Sequence, residues 1–136
     1  MKNVFLDTNI LIDFYDNRPG AFEAGLILRA ANAGEITVYA SLLTFANLAY
    51  VIKHGHTRNE VYNALDKFER LVNTLPMDRN QLRAAINYPC KDFEDMLQYQ
   101  CAVAGGCDVI ITNNIKDFAE YSQLPLYTAA EYIRNL

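Results

Sequence analysis

Short apolar runs alternate along this chain with segments of helical periodicity, and that alternation constrains the fold more than any other feature of the sequence. Val4-Phe5-Leu6 ends at Asp7, Thr37–Ala40 ends at Ser41, and Val109–Thr112 ends at Asn113-Asn114. Between them lie amphipathic stretches with recognisable starts and stops. Asn9–Asp16 reads as a brief helix closed by the turn Asn17-Arg18-Pro19-Gly20. Phe22–Asn32 reads as a second, with Phe22, Leu26 and Ala30 in one stripe and Gly34 as its stop. Ser41 can cap a helix in which Leu43, Asn47, Leu48, Val51 and Ile52 recur at helical spacing up to Gly55. Thr57-Arg58-Asn59-Glu60 fits a capping box ahead of the stripe Val61, Leu65, Phe68 and Val72.

The second half continues the pattern. Thr74–Met77 is a further strand candidate, Asp78 caps a helix over Gln81–Ile86, and Pro89 interrupts. Asp92 caps the next helix, which runs to Gly105-Gly106 with Phe93, Leu97, Cys101 and Ala104 on one face. A short helix around Asp117–Tyr121, a strand at Leu124–Tyr127 and a last helix opened by the Thr128–Glu131 capping box complete the chain. Strands separated by helices must run parallel and be joined by right-handed crossovers. The expected fold is therefore an α/β three-layer sandwich, a short parallel β-sheet of about five strands flanked by helices, as a single domain over residues 1–136.

Composition narrows the function classes. With 136 residues, 51% of them hydrophobic, a core forms without disulfides or a structural metal. The three cysteines, Cys90, Cys101 and Cys107, include no Cys-x-x-Cys pair and read as small buried thiols. His54 and His56 flank Gly55 at a spacing that suits no helix face, so they read as solvated or substrate-facing and not as zinc ligands. No apolar run approaches the roughly 20 residues of a membrane span, and no export signal opens the chain, so a cytoplasmic protein is expected. A net charge of −4 excludes the broad basic surface of a non-specific DNA coat protein. It leaves room for an enzyme whose acids gather around a cation.

Open parallel sheets bind ligands beyond the carboxyl ends of their strands. Asp7-Thr8-Asn9 leaves one such end, Thr112-Asn113-Asn114 leaves another, and Asp92–Asp95 opens the helix that leads into the latter. A hard cation such as Mg²⁺ or Mn²⁺ takes oxygen ligands from several segments, and Asp7, Asp92, Asp95 and Asp117 have the right type. Helix capping explains Asp92, Asp95 and Asp117 equally well. Asp7, placed directly after a buried first strand, is the strongest candidate.

Three segments together carry a resemblance. Val4-Phe5-Leu6-Asp7-Thr8-Asn9-Ile10-Leu11-Ile12-Asp13, Asp92-Phe93-Glu94-Asp95 and Val109-Ile110-Ile111-Thr112-Asn113-Asn114-Ile115-Lys116-Asp117-Phe118 are similar, in order and spacing, to the signature segments of the PIN domain. The resemblance spans nearly the whole chain and implies a metal-dependent ribonuclease, often the VapC-type toxin of a toxin–antitoxin pair. It implies that Asp7 and Asp95 are metal ligands, with Asp92 and Glu94 beside Asp95 in the motif and Thr8 and Asn9 as supporting polar groups. It further implies that Thr112, Asn114 and Asp117 form the closing segment that orients the attacking water, and that the protein is a homodimer with a small antitoxin partner.

The chain departs from the pattern at one place. Ser41 and Thr44 stand where the family has hydroxyls after the second strand, but Asn47 occupies the position usually held by Glu, as in a branch with a similar Leu-Thr-x-x-Asn segment. Asn114 likewise stands where many relatives have a carboxylate, so the expected site is one or two negative charges poorer, with a lower metal affinity. Lys53 and Arg58, in a basic run with His54 and His56, are the candidates for holding RNA phosphates, and Tyr50, Tyr62, Tyr88 and Tyr99 for stacking on bases.

Two other readings bear on the same residues. One is a catalytically weakened PIN-fold module that binds RNA or a protein partner; metal titration separates it from the nuclease. The other is a phosphatase of the haloacid dehalogenase type, which places its nucleophilic Asp after a strand. It fails because Asn9 stands where that chemistry wants a second acid, and because 24 residues after Thr112 leave too little room for its acidic metal motif. Dinucleotide binding is excluded by the lack of a Gly-x-Gly-x-x-Gly sequence.

Overall fold

The computed structural model describes residues 2–136. Five strands, β1 (Lys2–Leu6), β2 (Ile36–Ser41), β3 (Asn73–Leu75), β4 (Val109–Ile111) and β5 (Leu126–Tyr127), form one sheet in the order β3-β2-β1-β4-β5. Every pairing is parallel, with Val4 opposite both Val38 and Val109. The helices are α1 (Thr8–Tyr15), α2 (Ala21–Asn32), α3 (Leu42–Ile52), α4 (Arg58–Leu71), α5 (Arg79–Ile86), α6 (Phe93–Ala104), α7 (Ile115–Ala119) and α8 (Ala129–Arg134).

Side chains alternate across a strand, and the alternation divides the core in two. Val4, Leu6, Val38, Ala40, Val109 and Ile111 point to one face, where α1, α2, α3, α4 and α8 cover them. Phe5 and Ile110 point to the other, under α5, α6 and α7 through Ala85, Met96, Tyr99, Ala102 and Phe118. Burying side chains such as Phe5 and Leu6 completely is worth roughly 1.5–3 kcal/mol each. The three-layer parallel sandwich expected from the sequence is the observed fold.

Local signals set most boundaries. Ser41 Oγ accepts from Thr44 N at 3.2 Å, and Asp92 Oδ1 accepts from Asp95 N at 3.1 Å, so both are N-caps. The capping boxes Thr57/Glu60 and Thr128/Glu131 are closed in both directions, and a third box, Asp78/Gln81, joins them. Gly34 and Gly106, at φ +80° and +74°, take the left-handed conformation that stops a helix.

The structure differs from the periodicity reading in several elements. Phe22 is 74% exposed, and α2 packs through Ala24, Ile27, Leu28 and Ala30 instead. Helix α6 turns Phe93 outward, 48% exposed, and buries Asp95, Met96, Gln98, Tyr99, Cys101 and Ala102. That inward face includes an acid and an amide, which a search for an apolar stripe passes over. Helix α7 starts at Ile115 with Asn114 in the capping position, so Asp117 lies inside its first turn. Strand β3 spans Asn73–Leu75 and not Thr74–Met77, and β5 is confined to Leu126–Tyr127, since Pro125 has no amide to pair. Cys101 and Cys107 are buried thiols pushed up by that burial to about 11 and about 12, as inert cysteines are.

Candidate active site

Strands β1 and β4 are sheet neighbours whose connections leave in opposite directions, which makes the gap at their carboxyl ends the switch point of this topology. Asp7 stands in that gap. Its amide donates to Ile111 O at 3.0 Å, which continues the β1–β4 ladder by one residue, and its side chain caps α1. The carboxylate is 5% exposed and accepts from Thr112 Oγ1 at 2.7 Å, Thr8 N at 2.8 Å and Asn9 Nδ2 at 3.2 Å. Burial raises its pKa despite these donors, and the charge of Glu94 adds to the rise.

Asp95 reaches the same place from the first turn of α6. It is 7% exposed, and its Oδ2 is buried without a hydrogen-bond partner. Burial first, and then the negative charges of Asp7, Asp92, Asp117 and Glu94, push its carboxyl up to about 7. Asp7, Asp95, Asp92, Glu94, Asn47, Asn114, Thr8 and Asn9 all line one open cleft of about 360 Å³, together with Ile12, Tyr50 and Val51. Among the described residues, no Lys, Arg or His lines it. A buried acid with an oxygen unsatisfied is a costly arrangement unless a proton or a cation fills the vacancy in charge.

Below the cleft lies a closed polar network that holds its walls. Ser41, Thr44 and Thr112 are fully buried, and Gln98 is 1% exposed. Thr8 Oγ1 donates to Thr44 Oγ1 at 3.1 Å, Gln98 Nε2 donates to Thr44 Oγ1 at 3.0 Å and to Thr8 Oγ1 at 3.4 Å, and Ser41 Oγ donates to Gln98 Oε1. Thr112 Oγ1, while donating to Asp7, accepts from Asn114 N at 2.9 Å. Thr8, Ser41, Thr44 and Thr112, expected as supporting groups, are thus brought together by these hydrogen bonds. Asn113 adds a tie on the other side, with Nδ2 donating to Asp13 Oδ2 at 2.8 Å and N to Asn9 Oδ1 at 3.3 Å.

Gln98 and the Asn113–Asp13 pair are the residues that sequence reasoning missed. The signal for Gln98 was its place three residues after Asp95, on the same side of the helix. Of the residues expected in the site, six do not line the cleft: Ser41, Thr44 and Thr112 lie in the network below it, and Asp117, Lys53 and Arg58 lie to its sides. Asp117 lies in α7 with its carboxylate 3.7 Å from Lys91 Nζ, and acts on Asp95 only through its charge. Lys53 and Arg58 line a neighbouring hollow between α3 and α4 with His56 and Tyr62. Lys53 Nζ sits 4.6 Å from the ring centroid of Tyr50, the exposed tyrosine on the cleft wall, so the basic group adjoins the acidic one across a single aromatic side chain. Among the described residues, no group of three His, Cys, Asp or Glu side chains is arranged to hold a metal ion, and no helix is long and apolar enough to cross a membrane.

Comparison with known proteins bears on the family and the fold. The sequence profile of the PIN domain matches residues 3–116. Ribonuclease VapC1 of Aquifex aeolicus (strain VF5) is 27% identical over 122 residues, which cover 83% of this chain and 82% of that protein. Among solved structures, VapBC2 from Rickettsia felis bound to a DNA fragment from their promoter superposes with a TM-score of 0.69 at 21% identity, over 93% of this chain and 98% of the other. A toxin–antitoxin complex from Klebsiella pneumoniae gives a TM-score of 0.67 at 24% identity, over 93% and 97% of the two chains. These likenesses extend through the whole sandwich.

Proposed function

The chain belongs to the PIN domain family, and from that premise we propose that it is a divalent-cation-dependent ribonuclease, the toxin of a toxin–antitoxin pair, that hydrolyses RNA phosphodiester bonds. The observation that carries this reading is the unpartnered, buried Oδ2 of Asp95 in a cleft that also holds Asp7 and, among the described residues, no basic side chain. That donor set fits a hard cation, which prefers carboxylate and amide oxygens. Asp7 and Asp95 would hold Mg²⁺ or Mn²⁺, with Asp92 at the rim and the amide oxygens of Asn47 and Asn114 as neutral donors. Such a cation, when bound, lowers the pKa of water and offsets charge developing on a phosphate.

The rest of the work falls to the chain itself. Thr112, Thr8 and Asn9 fix the direction of the Asp7 carboxylate through three donors, so its charge need not reorganise during the reaction. Asn114, tied by its amide to Thr112, presents a polar side chain at the cleft wall. Lys53 and Arg58, beyond Tyr50, would hold phosphates of the RNA flanking the cut, and Tyr50 offers a face for a base. Asp117 contributes negative charge from outside the cleft.

The ribonuclease named among the relatives supports the RNA substrate, and the VapBC and toxin–antitoxin complexes support an antitoxin partner. A homodimer in the cytoplasm is the setting this reading expects. Its test is Mn²⁺-dependent cleavage of RNA by the purified protein: Asp7→Asn should abolish cleavage with an unchanged circular dichroism spectrum. Full cleavage by that variant would place the chemistry elsewhere. The neutral Asn47 and Asn114 favour one second reading, a PIN-fold module that binds RNA or protein without cutting. Failure of the wild type to bind Mn²⁺ in calorimetry would give that reading the lead.

A further inference from the structure

We infer that Glu94 supplies the third negative charge of the cation site and that Asn47, itself uncharged, is the positioning residue that turns Glu94 toward the cleft. This rests on the cation-dependent reading above. Glu94 is an exposed residue in the first turn of α6, where a glutamate ordinarily extends into water or pairs with a base. Here, though exposed, it pairs with no base and is tied to a neutral amide. Its Oε1 accepts from Asn47 Nδ2 at 2.9 Å, a bond that joins α3 to α6 across 47 positions of sequence, and both residues line the cleft with Asp7 and Asp95.

No basic side chain offers an alternative reason for that orientation. Lys91 goes to Asp117, Lys53 lies over Tyr50, and His56 stands between Asp16 and Glu60; among the described residues none forms an ion pair with Glu94. One amide-to-carboxylate hydrogen bond at a solvent-exposed glutamate competes with water and costs the rotamer freedom of two side chains. The bond also holds a negative charge in the cleft that Asp7 and Asp95 line. An arrangement that gathers like charge in a cleft without a base, beside a buried carboxylate oxygen with no partner, is compensated by a cation. Since among the described residues no three acids are arranged to hold an ion jointly, Glu94 acts through the water shell that a hard cation retains.

The test is calorimetric titration with Mn²⁺ of the wild type, Glu94→Gln, Asn47→Ala and the double variant Asn47→Glu/Glu94→Gln, with melting temperatures of the metal-free proteins measured alongside. Glu94→Gln should weaken Mn²⁺ binding by about tenfold or more, and Asn47→Ala, which keeps the charge of Glu94 but removes its anchor together with the Asn47 amide oxygen, by about tenfold. The double variant, which places the carboxylate at the other end of the same hydrogen bond, should regain most of the wild-type affinity. Metal-free Glu94→Gln should melt above the wild type, because one of three crowded negative charges is gone. Wild-type affinity in Glu94→Gln, with binding lost in Asp7→Ala, would overturn the role of Glu94 and leave the cation site standing. Absence of Mn²⁺ binding in the wild type would overturn both.

Discussion

Two aspartates share one cleft and are treated differently. Asp7 is held by three donors, whereas Asp95 keeps one oxygen buried and unpaired, and burial with four neighbouring acids lifts its carboxyl from the ordinary 3.8 to about 7. A raised acid binds its proton more tightly when folded than when unfolded. Its contribution to metal-free stability is therefore whole below about 4 and is lost as the pH rises toward 7. The metal-free protein should melt at a lower temperature at pH 7.5 than at pH 5. Asp95→Asn should raise the melting temperature at pH 7.5 and flatten that slope, although Asp7, shifted in the same direction, keeps part of it. Calorimetric scans of both proteins across that range decide the matter, and identical slopes would mean that Asp95 is not the strained acid. Asp7 was legible in the sequence because it follows an apolar strand directly. The strain on Asp95 was not, since it comes from acids in other segments and from the depth at which α6 sits.

At the scale of elements, helix ends were easier to read than helix faces. Caps such as Ser41, Thr57, Asp92 and Thr128 act on amides within three residues, so sequence contains the whole interaction. Which side of α6 faces inward depends on the sheet and on α1 and α3. Its inward face is partly polar because Gln98 must meet Thr8, Ser41 and Thr44. Gln98 thereby ties together the helices that begin beside Asp7, above Ser41 and at Asp92. Gln98→Leu leaves three buried hydroxyls short of a partner, and unfolding in urea should show a loss of about 2–4 kcal/mol. A loss below about 1 kcal/mol would mean that the hydroxyls satisfy one another without the amide.

Across the whole molecule, the parallel sheet followed from segment order, and its switch point put the acids where the topology binds ligands. The chain expectation of a charge-poor site, drawn from Asn47 and Asn114 singly, missed the contact between Asn47 and Glu94, because residues 47 apart meet only once the sandwich closes. A cation bound to the folded form alone stabilises it by mass action. Mn²⁺ at about 100 times its dissociation constant should add about 2.7 kcal/mol. A melting temperature several degrees higher in wild type, with no such rise in Asp7→Ala, is the expected result; equal rises would indicate a cation site away from the cleft.

The bond from Thr112 to Asp7 spans 105 positions. During synthesis the first strand and its acid emerge early, but the partner strand that completes the cleft is made close to the end. A ribosome that stalls before β4 releases a fragment with Asp7 and no wall opposite it. The cleft as a whole is thus assembled only in chains translated beyond Thr112, because the hydroxyl that holds Asp7 and the strand beside it do not exist before that point.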